Sequence, residues 1–311
     1  MPNTSKDQAL PDLSELSRAE WGASLRTLVE ARGDYIELDA DHHVLQLGDG
    51  DRLLVTFESA HDIRNDQDDA LPYGLKMAEK LNVSVIVVMC MTPTWFRADT
   101  MYDFFDMLTD EGVFEGFEHV CFFGAGLGGY AAAAFSVAAP GADLVVISPH
   151  ATLDPRVTEW DPRFPSARRR SWTDRYAFAP EMAEAARHAL VLYNPDEDLD
   201  AMHAALFARP SISRFRCRHM GKDLPGALSD MRILDDVLDL ALKKELTAKS
   251  FAQLYRRRRD YGPYLRALLL ETEDQDRTKL TTWIVGNVLP RKNMPRMRRA
   301  QERLENAQAA E

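Results

Sequence analysis

Cysteine is scarce in this sequence. Cys90, Cys121 and Cys217 are the only three among 311 residues, they lie far apart, and none belongs to a Cys-x-x-Cys pair. That excludes a disulfide-stapled scaffold and a cysteine-ligated zinc module, and it reads all three as reduced core residues. Long apolar runs are missing too. The most apolar region, Tyr130 to Ile147, is broken by Pro140-Gly141-Ala142-Asp143, which suits a helix, a turn and a strand rather than a membrane span. The stretch from Met1 to Gln8 has no basic segment leading into an apolar one, so no secretory signal is expected, and a cytoplasmic location without membrane contact follows.

What is present is ordinary globular material: 45% apolar, 28% charged and 9% aromatic residues, enough for one large core and an appendage. The net charge of −11 is uneven. From Leu246 to Glu311 there are 14 Lys/Arg against 8 Asp/Glu, so the C-terminal part is basic and the remainder strongly acidic.

Short apolar runs alternate with helix-period segments, the pattern of βαβ units and a mostly parallel sheet with helices on both faces. Strands are predicted at Leu53–Phe57, Val83–Met89, Val120–Phe123, Leu144–Ile147, Leu190–Tyr193 and Arg214–Cys217, after an antiparallel hairpin of Tyr35–Leu38 and His43–Leu47. Several are nearly continuous Val, Ile and Leu, as strands buried on both faces require. Helices are predicted at Leu71–Leu81, Asp99–Asp110, Leu127–Ala138, Pro180–His188 and Asp200–Phe207. The segment 151–179 fits no period and reads as a lid-like excursion over the C-terminal strand ends. After Cys217 the pattern is helical, at Ser229–Lys244, Thr247–Arg258, Pro263–Leu270 and Lys279–Val288, with a polar tail from Arg296 that is expected to be disordered. The expected division is an α/β domain over 1–245 and a basic helical extension over 246–311.

The strongest local signal is Val120-Cys-Phe-Phe-Gly124-Ala125-Gly126-Leu127-Gly128-Gly129-Tyr130-Ala131, an apolar strand passing through glycines into an alanine-rich helix. Gly124, Gly126 and Gly129 satisfy the dinucleotide pattern G-x-G-x-x-G. That pattern wants the first strand and an acid at the end of the next one. Here two parallel strands come earlier, and the next ends in Ser148-Pro149-His150. No cofactor and no metal is expected. Asp41-His42-His43 has no completing ligand spacing, and reads as a solvated turn.

The same phrase resembles the nucleophile elbow G-x-S-x-G-G-Y-A of esterase-like members of the α/β-hydrolase superfamily, with Gly126 at the serine position. The likeness extends to Leu144-Val-Val-Ile-Ser148-Pro149, to Leu190-Val-Leu-Tyr193-Asn-Pro-Asp196, and to Arg214-Phe-Arg-Cys-Arg-His219. It implies that Asp196 stands where the triad acid does, with Asp198 and Asp200 as neighbours, and His219 where the histidine does. Without a hydroxyl at Gly126 the acyl-enzyme route is closed. The whole-chain look also resembles proteins labelled phosphoadenosine phosphosulfate reductase, yet their Ser-Gly-Gly-x-Asp-Ser and Glu-Cys-Gly-x-His strings do not occur here.

The expected function is therefore a catalytically degenerate hydrolase-like protein that binds a small ligand or a protein partner. The alternative is an esterase, thioesterase or acyltransferase using His219 and Asp196 with water, or Ser59 as a displaced nucleophile with His61 or His219 as base. Ser59 also reads as a helix cap. Glu58, Gly126, Leu127 and His150 are ligand-contact candidates, because they fall at strand C-terminal ends. Arg168-Arg169-Arg170 reads as a solvated face or an anion contact. A third class is an adaptor. Arg256 to Arg259, Arg266, Arg296, Arg298 and Arg299, interleaved with aromatics, would meet an acidic partner, with nucleic acid disfavoured by the overall negative charge.

Overall fold

The computed structural model describes residues 10–309. Eight strands form one sheet: β1 (Gly33–Glu37), β2 (His42–Leu47), β3 (Arg52–Ser59), β4 (Ser84–Cys90), β5 (His119–Ala125), β6 (Asp143–Ile147), β7 (His188–Tyr193) and β8 (Ile212–Arg216). Their order is β1-β2-β4-β3-β5-β6-β7-β8. β2 runs antiparallel to β1 and β4, while every other pairing is parallel. The six strands expected in the parallel part and the hairpin before it are all present, within two residues at most ends.

Pleating decides which layer each side chain joins. Val55 and Phe57 of β3 enter one apolar cluster with Val88, Phe105, Phe122, Tyr130 and Phe135. Leu54 enters the other, with Val85, Val87, Cys121, Phe123 and Leu238. Helices therefore cover both faces. Phe57, Phe105 and Phe135 stack with centroids 4.5–5.7 Å apart, contacts worth about 0.5–1.5 kcal/mol each beyond area burial. They fix the helix Gly126–Phe135 against β3.

The chain leaves β3 toward β4 and then crosses to the other side of β3 to make β5. Such a reversal opens a crevice at the C-terminal strand ends, where open α/β sheets place their sites. Ser59 ends β3 and Gly126 follows β5, so both stand at this switch point.

The helix expected over Pro180–His188 is a short one, Ala179–Met182, followed by a 3-10 turn at Ala183–Ala185, and His188 already begins β7. Three further regions differ from the sequence expectation. A helix at Arg18–Glu30, not anticipated, is started by a Ser17–Glu20 capping box and buries Trp21, Leu25 and Val29. The helix expected over Ser229–Lys244 is two, Leu224–Asp230 and Leu234–Leu242, separated where Arg232 adopts φ +55°. Residues expected as a polar tail form the helix Pro295–Ala309, whose Met297 and Ala300 pack with Leu265, Leu269, Val285 and Val288 in a small separate cluster. Phe251 and Tyr255 belong instead to the second cluster of the main body.

The excursion 151–179 holds only short helical turns, and Arg97 pins it down. Its buried guanidinium pairs with Asp174, donates to the carbonyls of Ser171 (3.2 Å) and Arg175 (2.6 Å) and to the Tyr130 hydroxyl (3.1 Å), and lies over Trp172. Among the described residues no helix is long and apolar enough to cross a membrane.

Candidate functional site

The turn between β5 and the helix Gly126–Phe135 contains four glycines with two different reasons for being glycine. A Cβ on Gly124 would stand 2.2 Å from the Gly128 carbonyl oxygen, and one on Gly128 would stand 2.1 Å from the Phe57 carbonyl oxygen. Gly129 is held 3.2 Å from Pro149 by the same measure. These three let the helix pass close to β3 and to the segment after β6. Gly126 is the exception. Its φ of +53° is the strained turn of a strand-to-helix elbow, yet a Cβ there would meet nothing within 4 Å. A side chain at this position would project into open space.

On one side of the elbow, Leu127 and His150 line a hollow of about 380 Å³ with Pro93, Trp95, Arg163 and Phe164. His150 is 6% exposed, and its Nδ1 has no hydrogen-bond partner. Burial above all, then His203 and Arg163, holds its pKa well below the ordinary value, against the opposing influence of Asp161 and the Gly126 backbone. The ring is therefore neutral near pH 7. It packs edge-on against Phe164 at 4.8 Å and against His203 at 5.0 Å.

Behind it lies a buried network that the sequence did not announce. Asp161 receives His203 Nε2 (3.0 Å) and a two-pronged contact from Arg163 (Nε 3.0 Å, Nη2 2.8 Å); Arg163 also reaches Asp200 at 2.7 Å. Burial alone would raise the Asp161 pKa, but the Arg163 and His203 hydrogen bonds outweigh it and hold the carboxyl well below the usual range. His203 Nδ1 accepts the Ala151 amide hydrogen (3.1 Å), so Nε2 carries the proton and donates to Asp161.

His150, Asp161 and His203 are close enough to suggest a metal triad, their ligand atoms all lying within 4.8 Å of one another. The tautomer argues against it. The lone pair that His203 would need at Nε2 is occupied by a proton, fixed by the Ala151 amide on the opposite nitrogen, and Arg163 already balances the carboxylate. The set fits a hydrogen-bonded network better than a cation site.

The triad-position residues do come together. The Asp196 carboxylate accepts the His219 backbone N–H at 2.8 Å, with the ring Nδ1 at 3.5 Å. The His219 ring is committed elsewhere, however. Its Nε2 lies 3.1 Å from Glu271 of the helix Gly262–Asp274, and Tyr264 packs on it. Met220 and Gly221, rather than His219, line a second hollow of about 760 Å³ beside Ser59, Ala125 and Gly128. Ser59 caps the helix Ala60–Asp66, its hydroxyl oxygen accepting from the amides of His61 (3.2 Å) and Asp62 (3.3 Å). The His61 ring pairs with Asn65.

Glu58 serves the helix Tyr73–Leu81. Its carboxylate accepts the amides of Tyr73 (2.7 Å) and Gly74 (2.8 Å) and the Thr56 hydroxyl (2.7 Å), while burial raises its pKa. Arg168 donates to the carbonyls of Asp161 and Thr158, bracing the excursion. Burial pushes the Cys90 thiol up to about 12, so it is an inert core thiol.

No protein family's sequence model and no curated protein matches the chain. Among solved structures it is similar to carboxyl esterase 2 from the mycorrhizal fungus Tuber melanosporum, at 13% identity and a TM-score of 0.45 over 69% of this chain and 86% of that one. An arylesterase shows 16% identity and a TM-score of 0.46, over 76% and 93% of the two chains. An S-formylglutathione hydrolase from Agrobacterium tumefaciens shows 13% and 0.44, over 65% and 89%. The strand order, the single reversed strand within the sheet and the β5 elbow are this chain's own, and on them it has the α/β-hydrolase fold, with glycine at the elbow.

Proposed function

We propose that this protein is a catalytically degenerate hydrolase-like protein that binds a ligand or partner at the C-terminal edge of its sheet. The observation that carries the reading is Gly126, which keeps the strained turn and the open space of a nucleophile position while offering no nucleophile. The engagement of His219 by Glu271 supports it, because a general base must reach the proton it abstracts. A cytoplasmic setting goes with the three unpaired, buried cysteines.

The competing reading is an active hydrolase or acyltransferase that uses water activated by His219 and Asp196, or Ser59. It draws on the retained Asp196–His219 contact. An adaptor role is weakened where the basic helices spend their charge internally, Arg257 on Asp236, Arg291 on Asp260 and Arg303 on Glu273.

Hydrolysis of short-chain p-nitrophenyl esters and thioesters by the wild type and by His219→Ala, Ser59→Ala and His150→Ala variants separates them. The expected result is turnover at the buffer rate in all four proteins. Enzymatic turnover abolished by any one substitution would overturn the degenerate reading and name the residue responsible.

A further inference from the structure

The larger hollow at the C-terminal edge of the sheet, about 760 Å³ beside the end of β3, has the size and the place of a small-molecule site. Its lining is rich in acids. Glu58 is spent on the Tyr73 and Gly74 amides and the Thr56 hydroxyl, and Asp69 on Lys76 (3.0 Å). That leaves five carboxylates, Asp62, Asp66, Asp68, Asp223 and Asp230, against a single further ammonium, Lys222. All five are exposed, so a ligand in the hollow can reach them.

Several of these acids stand where local rules disfavour them. Asp62 and Asp66 are four residues apart on the helix Ala60–Asp66, a like-charge pair that costs the helix stability. Asp66 and Asp68 fall at its C-terminal end, where the dipole opposes negative charge. Neither has a hydrogen bond or ion pair among the described residues. Arg64, in the last turn, is directed instead to the Leu16 carbonyl and the Trp21 ring. Asp223 accepts the Gly226 amide (2.9 Å) and Asp230 the Tyr261 hydroxyl (3.1 Å), which leaves lone pairs on each carboxylate. Local rules broken without a structural gain mark functional sites.

The occupant must be a cation, and an extended one. The five carboxylates do not converge: among the described residues the one group close enough to share a single metal ion is His150, Asp161 and His203, outside this hollow. Asp62 and Asp66 are about one helical turn apart and Asp223 and Asp230 about two, or roughly 5 and 10 Å along the helix axes. Amines joined by three or four methylenes repeat at a similar interval. Ile63, Met220 and Pro225 give the lining an apolar part on which methylenes can lie, and the Tyr261 ring offers its face to an ammonium.

We infer that this hollow binds a small linear polyamine, its ammonium groups held by Asp62, Asp66 and Asp68 of one segment and by Asp223 and Asp230 of the other. The inference rests on the binding reading above and adds the ligand's class to it. The site involves neither Asp196 nor His219, nor the amides of the elbow helix.

Spermidine is the probe, titrated calorimetrically into the full chain, with butylamine as a single charge on an apolar body and magnesium chloride as a compact divalent cation. Saturable spermidine binding is expected, at least about tenfold tighter than that of either comparison. Asp66→Asn combined with Asp68→Asn removes two charges at constant shape and is expected to weaken spermidine about tenfold, as is Asp223→Asn combined with Asp230→Asn, where asparagine still caps the helix. Lys222→Ala removes the opposing charge and tightens binding. Asp110→Asn combined with Glu111→Gln, two exposed acids outside the hollow, changes the net charge equally and leaves binding as it was. Circular dichroism of each variant establishes that the fold is retained. Absence of saturable spermidine binding, equal affinity for butylamine or magnesium, indifference to either pair of substitutions in the hollow, or an equal loss in the Asp110 and Glu111 pair overturns the inference. None of these results bears on ester turnover, so failure of this site and failure of the degenerate reading are told apart.

Discussion

Replacing Gly128 by alanine is expected to destabilise the protein by about 3 kcal/mol or more, whereas the same change at Gly126, two residues earlier, costs about 1 kcal/mol. The difference follows from where each new methyl would go. At Gly128 it would stand 2.1 Å from the Phe57 carbonyl oxygen, a backbone atom in the middle of the sheet that cannot step aside without moving β3 or the helix. At Gly126 it would meet nothing, and the cost is only that of holding a residue with a Cβ at φ +53°. Gly124→Ala belongs with Gly128→Ala, because its methyl would meet the Gly128 carbonyl oxygen at 2.2 Å. Urea denaturation of the three variants measures the ranking. Equal losses at 126 and 128 would mean that the elbow is not packed as described, and would remove the reason for reading Gly126 as a vacated position rather than a packing glycine.

The contrast between these glycines also marks how far the sequence could be read. The spacing of Gly124, Gly126, Gly128 and Gly129 after a Val-Cys-Phe-Phe strand located the elbow, since a strand, a tight turn and a helix leave a local pattern. β4 and β6 were equally legible, being short runs of Val and Ile buried on both faces. Elements without such patterns escaped. The helix Arg18–Glu30 buries only Trp21, Leu25 and Val29 in a polar stretch, although its Ser17–Glu20 box was a usable signal. The break at Arg232 has no glycine or proline, so periodicity ran straight through it. The site was legible only at its edges. His150 stood out as a strand-end residue, but Trp95, Asp161 and His203 come from three further segments with no spacing to connect them. The commitment of His219 to Glu271 could not be seen either, since it depends on how a later helix docks.

Asp161→Ala is expected to cost about 3–5 kcal/mol, the usual penalty for removing one partner of a buried charged pair. The carboxylate is fully buried, and its loss leaves the Arg163 guanidinium without its two-pronged acceptor and His203 Nε2–H without any. The same network predicts how stability responds to acid. His203 cannot accept a second proton at Nδ1 without turning two donors, its own N–H and that of Ala151, toward each other. Burial holds its pKa below the ordinary value, and does so more strongly for His150. A base whose folded-state pKa is depressed takes up its proton in the unfolded chain first, so its contribution is intact above a pH of about 6.5 and is lost as pH falls below that value. The depressed pKa values of His43 and His188 act in the same direction. The melting temperature is therefore expected to fall by several degrees between about pH 7.5 and 5, with about 1 kcal/mol corresponding to roughly 2–4 °C in a chain of this size. Part of that slope should vanish in His203→Gln, which keeps an acceptor and a donor but does not titrate. A melting temperature that is flat over this range, or equally steep in the glutamine variant, would show that His203 is not locked in its neutral tautomer, and would reopen the question of a cation held between His150, Asp161 and His203.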